Sequence, residues 1–179
     1  MSGGHETAER SDSLGIADLA VERTKERFPE TDADAMSIVL WLHRVANVIT
    51  YDLESSVHRP RGLSWPAFRL MFTIWVSGTM ESKAAASQSG MSRAAVSSLT
   101  NTLDNLGLVT RTADPSDKRK ILLDLTDAGR VTLEAALREN NVQESKWTAG
   151  LAPDEATELV RLLRKLGDVA TDEWVNLRD

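Results

Sequence analysis

The chain has 179 residues, 21 lysines and arginines against 27 aspartates and glutamates, a net charge of -6 and no cysteine. This length suits one domain, or one compact domain with an appendage, and 41% apolar with 27% charged residues is a soluble, core-forming composition rather than a disordered one. Disulfides, thiol nucleophiles and thiolate metal sites are excluded, and so is a membrane span of about 20 apolar residues, since the longest candidate run, Met36 to Thr50, is broken by His43, Arg44 and Asn47.

Residues 1–12 are polar and acidic, read as a disordered lead-in rather than a signal peptide, and make a cytoplasmic location the expectation. From Ser13, a candidate cap, Leu14, Ala17, Val21, Thr24 and Phe28 recur at helical spacing until Pro29. A second helix starts near Thr31 or Asp32, carries the stripe Ile38, Trp41, Leu42, Val45, Val48, Ile49 and Leu53, and stops before Arg59-Pro60. Ser64 caps the third, with Pro66 in its first turn, a buried face of Phe68, Met71, Phe72 and Trp75, and Gly78 at its end. A short helix, about Glu81 to Ser89, turns at Gly90 into another, capped by Ser92 and running from Arg93 to about Leu106 with Val96, Leu99, Leu103 and Leu106 inward. Gly107 ends it in a left-handed conformation.

The hydrophobic period then changes. Leu108 to Thr112 and Lys120 to Leu125 read as two strands joined by the polar turn Ala113 to Arg119, a hairpin. Thr126 caps a long helix from Asp127 to about Trp147, with a bend expected at Asn140-Asn141. A last helix opens at Ala152-Pro153-Asp154 and bears the stripe Leu159, Leu162, Leu163, Leu166, Val169 and Ala170. The expected fold is mainly α with a small β-hairpin wing: a winged helix-turn-helix lobe (62–126) between helical dimerisation segments (13–61 and 127–179). Apolar stripes lying outside the winged core need a partner surface, and a second copy of the chain is the simplest one.

Two helices joined at a tight glycine turn and followed at once by a hairpin place the second helix in the DNA major groove, N-terminal residues first. Ser92, Arg93, Ala95, Ser97, Ser98 and Asn101 are short, polar or cationic, as groove entry requires. Arg93 suits bidentate contact to guanine or phosphate, and the serines suit phosphate. The hairpin tip gathers Lys118, Arg119 and Lys120, a basic ribbon end that can reach the minor groove, with Arg111 on the strand behind it and Asp117 as an acceptor orienting a neighbouring arginine. Between Lys83 and Leu123 six cations face three anions, a local +3 within a chain of -6, which leaves -9 for the remainder.

These residues carry a resemblance. Gly62-Leu63-Ser64…Phe68, Met91-Ser92-Arg93-Ala94-Ala95-Val96-Ser97, Leu106-Gly107-Leu108-Val109 and Asp114-Pro115-Ser116-Asp117-Lys118-Arg119-Lys120…Leu125-Thr126-Asp127-Ala128-Gly129 look like the MarR family of bacterial transcriptional regulators, over most of Met36 to Asp179. The resemblance implies a homodimer with interlocked terminal helices, a palindromic double-stranded operator, Arg119 in the minor groove with Asp117 supporting the wing, and a repressor released by a small aromatic or anionic ligand held between the dimerisation helices and the DNA-binding lobe. Glu26-Arg27-Phe28-Pro29…Asp32 is similar to the extra N-terminal helix of the urate-responsive branch. That branch has tryptophan where this chain has Arg23 and aspartate where it has Arg69, which sets urate aside as the expected ligand while keeping the architecture. The absence of cysteine sets aside thiol-based peroxide sensing.

The aromatic set Trp41, Trp65, Phe68, Phe72 and Trp75 suits a core first, but tryptophans at a helix junction can also line an apolar pocket. With His43, Arg44, His58 and Arg69 as polar groups, the candidate ligand set is Trp41, His43, Arg44, His58, Trp65, Arg69 and Phe72. Histidines at 5, 43 and 58 lack metal-ligand spacing, so neither a metal nor a cofactor is expected. No nucleophile with its base, paired carboxylates or phosphate-cradling glycine loop argues for an enzyme. Two other readings stand beside the ligand-responsive regulator: an effector-independent DNA-binding protein, and a winged-helix protein-interaction module.

Overall fold

The structure is a computed structural model that describes residues 3–169. It is mainly helical with one small antiparallel sheet, and it divides into two compact units, Met1–Asp52 and Leu53–Asp179.

The first unit holds helix α1 (Gly3–Arg27) and most of α2 (Ala33–Leu53). Helix α1 begins inside the segment read as a lead-in, so the cap expected at Ser13 lies within a helix. Glu6, Ala8, Glu9 and Arg10 are good helix formers, and no proline precedes Pro29. Asp32 starts α2, its Oδ1 accepting from the Ala35 amide at 2.9 Å. The Trp41 indole donates to Asp18 Oδ1 at 3.0 Å and so ties α2 to α1. Ile38, Leu42, Val45 and Val48 remain exposed along α2.

In the second unit α2 runs into a wide π-turn, Glu54–His58, and a 3₁₀ turn, Arg59–Arg61, that ends at Gly62 with φ 72°. Then come α3 (Trp65–Ser77), β1 (Met80–Glu81), α4 (Ser82–Ser89), α5 (Arg93–Asn105), β2 (Val109–Ala113), β3 (Ile121–Leu125), α6 (Asp127–Thr148) and α7 (Pro153–Asp168). Side-chain oxygens start three helices. Ser64 accepts from the Ala67 amide, Ser92 from Ala95 and Thr126 from Gly129, at 3.3, 3.2 and 2.9 Å. Each satisfies an amide that the first helical turn leaves orphaned. Gly90 and Gly107 take the left-handed conformation at φ 65° and 67°.

Strand β1 extends the expected hairpin to three strands in the order β1-β3-β2, with Met80 opposite Leu123 and Val109 opposite Leu125. The core lies where α3, α5, β3 and α6 meet. Leu70, Met71, Ile74, Val96, Leu103, Leu123 and Leu133 are almost fully shielded there, each contributing about 1.5–3 kcal/mol of apolar burial. Thr100 enters this core by returning its hydroxyl to the Val96 carbonyl at 2.7 Å. Leu106 is 54% exposed rather than inward, because it is the last residue before the Gly107 turn.

Two further expectations change. Phe72 and Trp75 are 39% and 41% exposed, since the buried stripe of α3 runs through Leu70, Met71 and Ile74 instead. Asn140-Asn141 does not interrupt α6, because the buried Asn140 side chain bonds to His58 rather than to its own backbone. Helix α7 buries none of its described residues, and Ala170 of its stripe lies outside them.

Candidate nucleic-acid interface

Helix α5 presents Ser92, Arg93, Ser97, Ser98 and Asn101 to solvent, with Ala95 half-buried between them. Two links set its position. On the N-terminal side, the Arg69 guanidinium of α3 donates to the Ser89 carbonyl, the last of α4, just before the Gly90 turn. A cation on a helix C-terminus is favoured by its dipole. Arg69 therefore braces the helix-turn-helix turn, a use that sequence reading, which placed it in a ligand set, did not find. On the other side, Arg111 of β2 donates to Asn101 Oδ1. Two residues read as separate DNA contacts thus hold the recognition helix to the wing.

The wing tip is shaped by its own acids. Asp114 Oδ1 accepts from the Ser116 amide at 2.7 Å and hydroxyl at 2.6 Å. The Ser116 hydroxyl first, and then its amide, hold the Asp114 carboxyl below its usual range. Asp117 Oδ1 accepts from the Arg119 amide at 3.1 Å and from its Nε at 3.2 Å, while the Arg119 side chain stays 92% exposed. A carboxylate is thereby neutralised and a guanidinium is aimed outward. Lys118 is exposed.

Lys120 is placed differently. Its Nζ lies 2.6 Å from Glu81 Oε1, at the junction of β1 and α4, and that hydrogen bond and charge raise its pKa. Glu81, Lys83, Ser97, Arg111, Arg119 and Lys120 face one cleft of about 540 Å3 between the wing and α5.

Behind the wing, Asp124 of β3 joins three elements. Thr79 donates to its Oδ2 at 2.6 Å and Arg130 of α6 to its Oδ1 at 2.8 Å. The helix that follows starts against the strand that leads in: a Cβ added to Gly129 would overlap the Leu108 carbonyl oxygen and sit 2.9 Å from its carbon. This is why a glycine stands three residues after the Thr126 cap. Neither Glu81 nor Asp124 was legible as functional, since Glu81 meets Lys120 across 39 residues and Asp124 meets Thr79 across 45.

The candidate ligand residues fall in two groups. Trp41, His43 and Arg44 belong to the first unit, where His43 is exposed and the Arg44 Nε is shielded from solvent without a hydrogen-bond partner among the described residues. In the second unit His58 stacks on Phe68, with ring centroids 4.2 Å apart, and on Trp65 at 5.4 Å. Phe68, Phe72 and Trp75 continue the ladder at 6.2 Å steps. His58 is fully buried, its Nε2 is 3.0 Å from Asn140 Oδ1, and its Nδ1 has no partner among the described residues. Burial lowers its pKa below 6.5, outweighing the opposite pull of Asn140. Among the described residues no group of acids and histidines is arranged to hold a metal ion.

A capped, exposed helix behind a tight turn, with a basic two-stranded ribbon beside it, defines a winged helix-turn-helix DNA-binding protein. The MarR family model matches residues 63–121. The chain is 33% identical over 135 residues to the uncharacterized HTH-type transcriptional regulator YwaE of Bacillus subtilis, covering 75% of this chain and 79% of that one. It shares its fold with a cysteine-to-serine mutant of MarR from E. coli solved with operator DNA (TM-score 0.68, 21% identity, 80% of this chain and 96% of that one). It also shares it with BpsR of Bordetella bronchiseptica, whose DNA binding is regulated by 6-hydroxynicotinic acid (TM-score 0.67, 23% identity, 73% and 98%). The chain belongs to the MarR family, and is a DNA-binding transcriptional regulator rather than an enzyme.

Proposed function

We propose that the protein is a homodimeric repressor that reads a palindromic operator and leaves it when a small aromatic or anionic ligand binds. The observation that carries this reading is the pairing of the Ser92-capped helix with a wing whose Arg119 is held outward by Asp117. Arg93, Ser97 and Ser98 enter the major groove, Ala95 lies against the base edges, and Lys118 and Arg119 reach the flanking backbone and minor groove. Asn101 and Arg111 act as a linked pair, and Lys120 contacts phosphate only after leaving Glu81.

Dimerisation falls to 13–61 and 127–179. Its support is the exposed apolar stripe Leu159, Leu162, Leu163 and Leu166 of α7, with Ile38 and Leu42 of α2, which a second copy covers. Two recognition helices then sit about one helical turn of DNA apart. Support for the ligand class is the ring ladder of the second unit, which a flat ligand can join. A ligand that prefers the DNA-incompatible dimer shifts the population off the operator.

The test is a genomic binding-site selection with purified protein, repeated across a panel of aromatic acids. Enrichment of a palindrome, lost with one acid, is the expected outcome. A palindrome indifferent to every acid favours the effector-independent regulator, and no enriched sequence refutes the operator reading.

A further inference from the structure

Of the cations at the cleft that hydrogen-bond to another side chain, Arg119 is held outward by its own acid and Arg111 donates to a neutral amide. Lys120 is the exception, because its partner Glu81 is a full charge 39 residues away, itself lining the cleft. Glu81 occupies the cap position of α4, yet its side chain makes no cap hydrogen bond there. Its carboxylate is turned to the wing instead. Both side chains are open to water, at 36% and 46% exposure, so a phosphate oxygen can approach the same ammonium group. A carboxylate at hydrogen-bond distance from a lysine is chemically what a phosphate would be.

We propose that Glu81 is an internal competitor for the phosphate that Lys120 would otherwise bind, so that it sets how strongly the winged lobe holds DNA of any sequence. This rests on the DNA-binding reading above. While Lys120 stays on Glu81, the lobe forgoes one phosphate contact and one released counterion, and its grip on random DNA is weaker by that amount. The hydrogen bond of Glu81 goes to Lys120 and not to α5. Operator and random DNA are weakened alike, because a phosphate contact carries no sequence information, so the pair sets affinity and leaves base reading as it is.

The experiment measures binding of a fluorescently labelled random-sequence duplex between 50 and 200 mM salt. Wild type, Glu81→Gln, Lys120→Ala and the double variant are compared, with thermal melting to establish folding. Each added phosphate contact steepens the slope of log affinity against log salt by about 0.9. Glu81→Gln is expected to steepen the slope by about 0.9 per lobe, to bind more tightly at low salt, and to lose this gain in the Lys120→Ala background. Lys120→Ala alone is expected to flatten the slope by less than the roughly 0.9 of a full contact, because Glu81 already withholds most of it.

Three results overturn the proposal. An unchanged slope in Glu81→Gln means that no contact was withheld. An equal gain with and without Lys120 makes the effect one of net charge alone. Weaker binding by Glu81→Gln makes the pair a brace for the wing. A wild-type protein that binds no duplex at any salt refutes the DNA-binding reading itself, an outcome distinct from these three.

Discussion

Replacing Gly129 by alanine sets two effects of opposite sign against each other. In an open helix the change would stabilise by about 1 kcal/mol, since glycine is a poor helix former. Here the new Cβ overlaps the Leu108 carbonyl oxygen, and backbone cannot rotate away as a side chain would. The start of α6 must lift from the strand lead-in. That strains the Thr126 amide bond to Leu108 O at 3.1 Å, the Thr126 hydroxyl bond to Gly107 O at 2.7 Å and the cap to Gly129 at 2.9 Å. Losing the cap costs about 1 kcal/mol, losing the amide bond about 1 kcal/mol, and the overpacking about 1–3 kcal/mol. After the propensity gain the net destabilisation is about 2–4 kcal/mol, a large share of the roughly 5–15 kcal/mol that holds a domain together. Urea unfolding followed by circular dichroism, at fixed protomer concentration, should show a midpoint lowered by roughly 1–2 M for an m-value of about 2 kcal/mol/M. A midpoint equal to or above that of the wild type would refute the close-approach argument.

Two further changes probe the site. Burial lowers the folded pKa of His58 below its unfolded 6.5, so its contribution is fully present above that pH and is lost as pH falls through the folded value. Unfolding free energy should therefore decline below about pH 6.5 with a slope of at most about 1.4 kcal/mol per pH unit from this group. His58→Gln should flatten the profile, whereas identical profiles for the two proteins would assign the acid sensitivity elsewhere. Arg69→Met removes the link from α3 to the Ser89 carbonyl and should cost about 1 kcal/mol, discounted for partial exposure, while weakening operator binding more than random-duplex binding. Arg69→Lys should recover part of both. Paired melts and DNA titrations check this, and equal losses on the two DNAs would mean the brace does not orient the recognition helix.

What the sequence made legible was local. Ser64, Ser92 and Thr126 announce their helices within three residues, and Gly90 and Gly107 mark turns that need positive φ. The wing followed from a change of hydrophobic period and a proline turn. Strand β1 was missed because two residues, Met80 and Glu81, have no period, and only their pairing with Leu123 and Leu122 makes them a strand. The π-turn at Glu54–His58 reads as ordinary helix for the same reason. Polar side chains were hardest to place: Arg69, Asn101, Arg111, Lys120 and Asn140 each spend a hydrogen bond on a partner that chain spacing does not reveal. Residue type showed that the face was basic; only the fold shows which of those charges are already answered.

The strand order β1-β3-β2 also bears on how the protein behaves when no DNA is bound. Putting β3 in the centre leaves two open edges. One, β1, is only two residues long, too short to template another strand. The other, β2, runs for five residues with unpaired backbone facing out, and there Thr110, Arg111 and Thr112 are all exposed. A charge in the middle of an edge strand discourages edge-to-edge stacking between molecules. Arg111 thus guards against aggregation in the free protein, and an apolar residue in its place would turn a DNA-facing ribbon into a sticky seam at high concentration.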